Sequence, residues 1–378
     1  MSGSIVVLAP DGFKGSIGAA SACDALAEGW RAAAPDARIV SRPMADGGEG
    51  TLQALARAVP GPEWIPVTVT GPAGAATSAT WLRLPPTQGM PGGTGVVELA
   101  STSGIELLGS RLAPWDADTT GFGEAIASAL DAGVSRLVLA IGSSGSTDAG
   151  AGMLTALGAR FRDVDGGVPP PGARGLLEIE TVQLDGLRSV PVGGVTVLTD
   201  VRAPLLGPRG AAAVFGPQKG LRADEIPVVD AALDRFAQRV RIAAPAADPA
   251  APGAGAAGGT GFALLAWGAR LVDGAAEIAA LAGVPDALTA ASVVITGEGR
   301  FDRHSTTGKA PGHVAALAQK AGVPAILVAG TIAADADTSG FAAAVSLAEL
   351  AGDSRAARAD PARWLRAAGE RAASLIGR

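Results

Sequence analysis

Several residue types are scarce in this chain of 378 residues, and each shortage excludes a class of protein. The single cysteine, Cys23, rules out an intramolecular disulfide framework and any thiolate metal cluster. Tyrosine is absent and aromatic residues make up 4% of the sequence, so the alanine- and glycine-rich apolar material favours close packing of helices on sheets. The two histidines, His304 and His313, lie nine residues apart without a third ligand nearby, which is weak evidence for a zinc site.

Concentrated positive charge and long apolar runs are missing as well. The net charge is −6, with acidic and basic residues interspersed, and the basic face that nucleic-acid binding needs is not visible. No uninterrupted apolar stretch approaches the length of a membrane span, and the apolar run before Pro10 is too short for a signal peptide. These absences predict a cytoplasmic enzyme that binds neither nucleic acid nor a membrane.

What the chain does contain is a regular alternation of short apolar runs and helix-like segments at both ends. Such an alternation is typical of a parallel β-sheet with helices packed on it. In the middle, two alternating runs at 64–70 and 77–84 are separated by a Gly-Pro-Ala-Gly turn, which predicts an antiparallel hairpin. The stretch 243–257 is nearly all Ala, Pro, Gly and Asp and predicts a flexible surface connection.

The sequence therefore predicts an α/β protein of two domains, since its length exceeds what one core usually carries. One is a parallel-sheet α/β domain of Rossmann-like or flavodoxin-like type, formed by both chain ends, 1–62 and 285–378. The other is a mixed α/β domain inserted between them, 63–284. Because small ligands usually bind between two such domains, we expect the active site in that cleft.

Three glycine-rich loops each follow a strand-like run, and each carries at least one acid. In the first, Lys14 could neutralise a carboxylate or phosphate, and Asp11 could hold Lys14 or a substrate hydroxyl. A tight turn with a solvated lysine explains the same residues. In the second, Asp46 and Glu49 frame two glycines that would let the backbone approach a ligand. Glu49 could equally be an acid that stabilises the start of a helix.

The third loop, Gly142–Gly152, combines glycines with small hydroxyl residues. Its backbone amides could bind phosphate oxygens. Asp148 could reach Mg²⁺ or a ribose hydroxyl, or could cap the helix that follows. The spacing fits neither a Walker A loop nor a dinucleotide-binding motif, which disfavours a Rossmann dehydrogenase.

The segment 293–314 holds the densest set of reactive groups. Gly308 and Lys309 look like half of a P-loop, but Gly299 lies nine positions before Gly308 and Ala310 replaces the magnesium-binding Ser/Thr, so a Walker ATP site is rejected. Asp302 is placed to act as a general base or magnesium ligand, with Lys309 or a neighbouring arginine on phosphate oxygens. A further acid, Asp200, ends the run 195–198 and could be another phosphate or metal element.

Together and in this order, the motifs resemble those of the type I glycerate kinases. The resemblance rests on APDGFKGS, PMADGGEGT and VITGEGRFDRHSTTGKAPGHVA, and on the segments 98–108, 118–126, 141–161, 199–220 and 253–267. It implies transfer of the γ-phosphoryl group of ATP to a hydroxyl of D-glycerate with Mg²⁺, most often giving 2-phosphoglycerate. It also implies a two-domain α/β fold unrelated to Walker-type kinases.

The resemblance further implies a role for residues that fall in these motifs. Those expected to bind substrate are Asp11, Lys14, Ser16, Asp46, Gly47, Gly48 and Glu49. Those expected to bind nucleotide or phosphate are Ser143, Ser144, Gly145, Ser146, Asp148, Gly297, Glu298, Gly299 and Gly308. The expected catalytic residues are Asp302, Asp200 and Lys309, with Asp200 and Asp302 also as metal ligands. The chain departs from the family where Gly12 replaces a common serine and where Arg202-Ala203 follow Asp200.

Alternatives remain open at this point. The product could be 3-phosphoglycerate, or the acceptor could be another small hydroxy acid. A non-enzymatic carboxylate-binding protein is much less favoured, because such binders are usually exported and this chain shows no export signal. We expect a monomer or homodimer whose partners are D-glycerate and ATP.

Overall fold

A computed structural model describes residues 4–305 and 309–376. The strands are β1 (Ile5–Pro10), β2 (Arg38–Ser41), β3 (Glu63–Thr70), β4 (Ala76–Leu84), β5 (Thr94–Glu98), β6 (Arg136–Ala140), β7 (Arg160–Arg162), β8 (Thr181–Gln183), β9 (Val195–Leu198), β10 (Arg270–Val272), β11 (Val293–Phe301), β12 (Ala325–Ile332) and β13 (Ala343–Ser346).

The helices are α1 (Ala19–Ala33), α2 (Thr51–Ala58), α3 (Ala100–Ser103), α4 (Thr120–Asp131), α5 (Ala151–Ala156), α6 (Gly172–Leu176), α7 (Ala211–Phe215), α8 (Ile226–Ala243), α9 (Thr260–Trp267), α10 (Gly274–Leu281), α11 (Val284–Leu288), α12 (Ala310–Ala321), α13 (Leu347–Ala351), α14 (Ser354–Ala359) and α15 (Pro361–Ile376). Short 3₁₀ helices add Ile105–Leu108, Pro217–Lys219 and Ala256–Gly259. None of the helices in the described ranges combines the length and apolar character that a bilayer span requires.

The chain divides into two compact units, and the first is built from both chain ends. It comprises Met1–Asp46, Gln53–Pro60 and Asp273–Arg378. Its five-stranded sheet has the order β13-β12-β11-β1-β2, and all neighbours are parallel. The central strands β1 and β11 are almost wholly buried, as expected for apolar strands covered on both faces. The predicted parallel-sheet α/β domain is therefore confirmed.

Small residues set how closely α1 and α15 pack in this unit. A Cβ added to Gly29 of α1 would lie 1.8 Å from the Arg366 carbonyl oxygen of α15. A Cβ on Gly369 of α15 would lie 2.4 Å from the Leu26 carbonyl oxygen of α1. The two helices thus approach backbone to backbone, which is the packing that the alanine- and glycine-rich composition favours. Cys23 is buried in α1, as expected for a small side chain in a helix–sheet contact.

Strand β11 is longer than its apolar run predicts. The apolar run ends at Thr296, but the strand continues through Phe301, still paired with β12. Gly297 permits this because a Cβ there would lie 1.7 Å from the Val328 carbonyl oxygen of β12. As a result, Glu298 belongs to a strand rather than to a loop.

The second unit comprises Gly47–Leu52 and Gly61–Val272. Its six-stranded sheet has the order β10-β9-β6-β5-β4-β3, with β10, β9, β6 and β5 parallel and β4 and β3 antiparallel. The predicted hairpin is confirmed as β3–β4, whose register runs from Glu63↔Arg83 to Thr70↔Ala76. A separate antiparallel pair, β7–β8, completes the mixed architecture.

The expectation of a flexible surface connection at 243–257 is wrong for its second half. Ala254 and Ala256 are buried in the core of the second unit, as is Ala247 before them. A Cβ on Gly255 would lie 2.1 Å from the Pro204 carbonyl oxygen. The small residues in this stretch therefore serve close packing rather than mobility.

Candidate active site

Three carboxylates of the first unit meet at the carboxyl edge of its sheet. Asp11 follows β1, Asp46 follows β2, and Glu298 lies in β11, on the other side of β1. Burial raises the pKa of Asp11 well above its ordinary value, and the charges of Asp46 and Glu298 raise it further. The Gly12 N–H, which donates to Asp11 Oδ1 at 2.6 Å, and the charge of Lys309 act in the opposite direction. The predicted substrate residues Asp11 and Asp46 are thus brought together.

Glu298 is the most unusual group in this cluster. Its side chain is 10% exposed, and Lys309 Nζ lies 3.6 Å from its Oε2. The other oxygen, Oε1, is buried and has no hydrogen-bond partner among the described residues. Burial raises the pKa of Glu298, while the Ser305 hydroxyl and the Lys309 charge lower it. A buried, unpaired carboxylate oxygen costs stability and calls for a ligand as its explanation.

Asp302 lies in a tight turn directly after β11. The His304 N–H donates to its Oδ1 at 3.0 Å, and the Asp302 N–H donates to Ser305 Oγ at 3.0 Å. The hydrogen bond from His304 holds the pKa of Asp302 below its ordinary value, with help from the charges of Lys309, His304 and Arg300. Asp302 is therefore ionised at neutral pH. Gly308, also predicted as a site residue, lies outside the described residues.

The remaining predicted residues of the first unit have simpler surroundings. Lys14 and Ser16 are exposed in the loop between β1 and α1. Gly299 lies under this loop, since a Cβ there would be 3.2 Å from the Lys14 amide nitrogen. His304 is exposed, and His313 is half-buried on α12, where burial lowers its pKa. His304 acts on Asp302 through its main-chain N–H and its charge, while its Nε2 accepts a hydrogen bond from Arg303 Nε at 3.0 Å.

In the second unit, the loop after β6 is shaped by one buried aspartate. Both oxygens of Asp148 accept hydrogen bonds. Its Oδ2 accepts from the N–H and hydroxyl of Thr119 and from the Gly152 N–H. Its Oδ1 accepts from the Ser146 hydroxyl and the Gly150 N–H. The backbone of the loop turns through left-handed conformations at Ser143 (φ 58°) and at Gly150 (φ 76°). Asp148 therefore fixes the loop to the starts of α4 and α5.

Two amides of the same loop are already engaged within the unit. The Gly142 N–H donates to the Gly47 carbonyl oxygen at 2.9 Å, and the Gly145 N–H donates to the Ser103 carbonyl oxygen at 3.0 Å. Of the four residues predicted to bind phosphate at 143–146, Gly145 thus serves the packing of the loop. The prediction that this loop binds phosphate therefore rests on Ser143, Ser144 and Ser146.

Lys219 is a buried residue that is not among the site residues predicted from the sequence. Its Nζ donates to Ser144 Oγ at 2.8 Å and to the Ser146 carbonyl oxygen. Burial lowers the pKa of Lys219 to about 7, against the opposing charge of Asp148. A Cβ on Gly258 would lie 2.9 Å from Lys219 Nζ, so the missing side chain at Gly258 leaves the room that the buried amine occupies. The signal in the sequence was the Gln-Lys-Gly after Pro217, which pointed to the lysine but not to its partners.

Glu98 is a second omitted residue, at the end of β5. The Thr51 N–H, at the start of α2, donates to Glu98 Oε1 at 2.9 Å. Burial raises the pKa of Glu98 to about 7, while hydrogen bonds from the amides of Gly50, Thr51 and Leu52 oppose the rise. Glu98 therefore holds the N-terminus of α2, the part that follows the predicted Gly47–Glu49 loop. In the sequence, an acid that ends an apolar run was the available signal.

The Gly47–Glu49 loop lies at the carboxyl ends of β6 and β9. Gly47 has φ +99°, and a Cβ there would lie 2.7 Å from the Leu198 carbonyl oxygen. Gly48 lies against Gly142, whose added Cβ would be 2.6 Å from the Gly48 Cα. Glu49 is exposed, as is Asp200, which follows β9. The second unit thus gathers this loop, the loop after β6 and Asp200 at one sheet edge.

The acids in the described part of the chain do not by themselves form a complete metal site. Within residues 4–305 and 309–376, no group of three or more His, Cys, Asp or Glu side chains is arranged to hold a metal ion. Mg²⁺ usually takes only one or two carboxylates and completes its shell with water and substrate phosphates. The unpartnered Glu298 Oε1, beside Asp11, fits that sparse kind of site.

Comparisons with known proteins agree with the motifs. A family model described as the glycerate kinase family matches residues 6–377. A glycerate kinase of Bacillus subtilis (strain 168) is 40% identical over 88% of this chain and 86% of that protein. A glycerate 2-kinase of Escherichia coli (strain K12) is 37% identical over 87% of this chain and 86% of that protein. A crystal structure from Salmonella typhimurium LT2, assigned as glycerate kinase 2, superposes with a TM-score of 0.85 at 34% identity, covering 99% of this chain and 98% of that one.

Proposed function

The chain belongs to the glycerate kinase family, and we propose that it transfers the γ-phosphoryl group of ATP to D-glycerate and forms 2-phosphoglycerate. The observation that carries the proposal is the acidic cluster of the first unit, with the unpartnered Oε1 of Glu298 beside Lys309. The name of the Escherichia coli relative supports the 2-hydroxyl as the acceptor.

The inventory of side chains suits phosphoryl transfer. This reaction depends mainly on positioning and on electrostatic stabilisation of the transferred group, and it needs no covalent nucleophile. Lys309 offsets negative charge on the transferring phosphoryl group. Asp302, kept ionised by the hydrogen bond from His304, accepts a hydrogen bond from the attacking hydroxyl and takes its proton as the new P–O bond forms.

The acceptor needs a cation and hydrogen-bond donors for its carboxylate. Lys14 is exposed on the loop that follows β1, next to the acidic cluster in sequence, and we assign it to the glycerate carboxylate. Asp46, whose charge raises the pKa of the nearby Asp11, is assigned to accept a hydrogen bond from a hydroxyl of glycerate. These roles explain why a lysine and several acids share one sheet edge.

Mg²⁺ fits the same cluster, with Glu298 Oε1 and Asp11 as the residues that would hold it. When bound, the ion neutralises charge on phosphate oxygens. The raised pKa values of Asp11 and Glu298 reflect burial and mutual repulsion, which a divalent cation relieves. Asp302 and Asp200 remain the alternative ligands that the sequence predicts.

In the second unit, we assign the loop after β6 to the phosphates of the nucleotide. The main-chain amides of Ser143, Ser144 and Ser146 are the donors we propose. Asp148 and Lys219 act on this loop from inside by fixing its course. They are positioning residues in this scheme.

The test follows ADP formation by the purified protein with Mg-ATP and D-glycerate. Enolase added directly to the reaction consumes only 2-phosphoglycerate, so formation of phosphoenolpyruvate identifies the product. No ADP above the control without acceptor would contradict the kinase assignment. ADP without phosphoenolpyruvate would instead identify the 3-hydroxyl as the acceptor.

A further inference from the structure

An open cavity of about 300 Å³ lies wholly within the second unit. It is bounded by one face of α5, the residues before and at the start of α4, strand β7, the proline segment 169–171 and α6. Its volume falls at the lower end of the range typical of small-molecule sites, roughly 300–1,000 Å³. None of the expected site residues that the structure describes, from Asp11 to Lys309, lines it.

Close backbone contacts hold the walls of this cavity in place. A Cβ on Gly172, whose φ is +76°, would lie 2.3 Å from the Trp115 carbonyl oxygen. A Cβ on Gly175 would lie 1.8 Å from the Pro170 carbonyl oxygen. Helix α6 is therefore pressed against the proline segment, whose φ angles are fixed by the proline rings. The cavity is a built feature of the fold rather than a gap under a loose loop.

The chemistry of the walls is that of a site for a flat, partly polar ring. Phe161, Leu176 and Ile179 are buried and present apolar surface together with the prolines. Asp118 and Arg160 add an acceptor and a planar cation at the polar side. Binding sites for small molecules usually combine such an apolar lining with a few placed polar groups. Guanidinium groups also stack on aromatic rings and pair with phosphate.

The cavity is linked to the loop after β6 through Asp148. Asp148 Oδ2 accepts the Thr119 hydroxyl at 2.7 Å and the Gly152 N–H at 3.1 Å. Gly152 lines the cavity, and Thr119 lies between the lining residues Asp118 and Thr120. One hydrogen-bonded network thus supports both the loop and the cavity wall. This loop is the one that we assign to the phosphates of the nucleotide.

We propose that this cavity binds the adenine and ribose of ATP, with Asp118 accepting a hydrogen bond from the exocyclic amino group of the base. The identity of the nucleotide rests on the proposed function. The Thr120 N–H donates to Asp118 Oδ1 at 2.9 Å and orients the carboxyl group. Burial, with the charge of Asp148, raises the pKa of Asp118 to about 6, so the group is an acceptor at pH 7.5.

The first experiment fills the cavity and measures nucleotide binding without glycerate. Thr155 lines the cavity from α5, is exposed, and its hydroxyl donates only to the Ala151 carbonyl oxygen one turn earlier. We expect Thr155→Trp to raise the Kd for both ATP and adenosine at least tenfold by calorimetry. Thr68→Trp, at an exposed position of β3 outside the cavity, is the matched control and should stay within twofold of the wild type. Unchanged affinities in Thr155→Trp would overturn the proposal.

A second experiment tests the polar contact and the location. Photolabelling with 8-azido-ATP should modify a peptide within 159–179, and labelling confined to other peptides would contradict the site. The wild type should prefer adenosine over purine riboside, which lacks the amino group. Asp118→Ala, which removes the acceptor, should reduce that preference by several-fold, whereas an unchanged preference would exclude Asp118 as the acceptor.

The two proposals fail in different ways. A wild type that phosphorylates glycerate while Thr155→Trp keeps its ATP affinity contradicts the cavity assignment alone. The opposite result is also informative: the wild type binds adenosine, Thr155→Trp loses that affinity, and the wild type forms no ADP that depends on glycerate. This result contradicts the kinase proposal and supports the nucleoside site.

Discussion

Both units place glycine-rich loops at the carboxyl ends of parallel strands, but the charged groups there have opposite surroundings. In the first unit, Glu298 Oε1 is buried without a partner in the described part of the chain, and Asp11 is crowded by other carboxylates. In the second unit, both oxygens of Asp148 are hydrogen-bonded and the amine of Lys219 has two acceptors. The first edge holds an unpaired carboxylate oxygen; at the second, the charged groups Asp148 and Lys219 are paired, and the unpaired buried atom in the described part of that loop is the Thr147 hydroxyl.

This difference separates two tasks of a binding site. Buried polar groups in folded proteins are almost always paired, so an unpaired carboxylate is retained where a ligand or ion completes it. A fully paired network instead fixes backbone geometry. We therefore assign the reacting charges to the first unit and the shaped phosphate-binding backbone to the second. Substitutions in the first should reduce turnover with little change in stability, and substitutions in the second should do the reverse.

The largest effect is expected from Asp302→Asn. The amide cannot take the proton of the attacking hydroxyl, so turnover should fall by a factor of about 10²–10⁴. The turn should survive, because an asparagine oxygen can still accept the His304 N–H. Steady-state kinetics and thermal unfolding measure the two effects.

Asp337→Asn is the matched control for that substitution. Asp337 Oδ1 accepts the Ser339 N–H at 2.9 Å, the same two-residue turn that Asp302 makes with His304. The control should keep wild-type turnover. Near-normal turnover in Asp302→Asn would remove Asp302 from the reaction, and an equal loss in both variants would point to the turn rather than the carboxylate.

Asp148→Asn should have the next largest effect, on stability. An amide nitrogen would face one of the two sets of donors that Asp148 now accepts, such as the Thr119 and Gly152 N–H groups. Loss of a buried, charge-assisted network of this kind costs about 3–5 kcal/mol of unfolding free energy. Urea unfolding of wild type and variant measures it. Wild-type stability combined with abolished turnover would place Asp148 among the reacting charges and break the comparison.

Local patterns in the sequence predict the elements that frame these sites. Alternating apolar and polar residues locate the β3–β4 hairpin, and apolar runs followed by glycine locate β1 and β6. The run before Gly297 predicts the start of β11 but not its end, because pairing with β12 overrides the local preference of Gly-Glu-Gly for a loop. Propensity is a weak guide where a neighbouring strand supplies the hydrogen bonds.

The partners of the buried charges could not be predicted in the same way. Lys219 lies 75 positions from Ser144, and Glu98 lies 47 positions from Thr51, so their contacts arise only when distant elements pack. The sequence predicts Asp11, Asp46 and Glu298 as site residues through motif resemblance. It does not reveal that Glu298 lacks a partner for one oxygen, because burial and pairing are properties of the packed sheet.

Lys219→Met tests the satisfied network through its pH dependence. Burial lowers the pKa of Lys219 to about 7 in the folded protein, against an ordinary value of 10.5. Between these values the unfolded chain binds more protons than the folded one, so stability rises with pH. The stability advantage of the wild type over Lys219→Met should therefore grow from pH 7 to pH 9, by at most about 1.4 kcal/mol per pH unit. Urea unfolding at both pH values measures the change, and parallel curves would show that the pKa of Lys219 is not lowered and that the amine stays protonated in the folded protein.

Glu98→Gln should give the smallest effect, with the opposite sign. Burial raises the pKa of Glu98 to about 7, above its ordinary 4.5, so the protonated acid favours the folded state. That contribution is fully present below pH 4.5 and is lost as the pH rises through 7. Glutamine keeps an acceptor for the Thr51 N–H but does not titrate. In urea unfolding, the wild-type advantage should therefore shrink by about 1.4 kcal/mol between pH 6 and pH 8, because the pKa of about 7 already includes the opposing amide hydrogen bonds. If the stability difference between wild type and Glu98→Gln instead grows with pH, the ionised carboxylate stabilises α2. The second unit would then also depend on a buried charge, against the comparison made above.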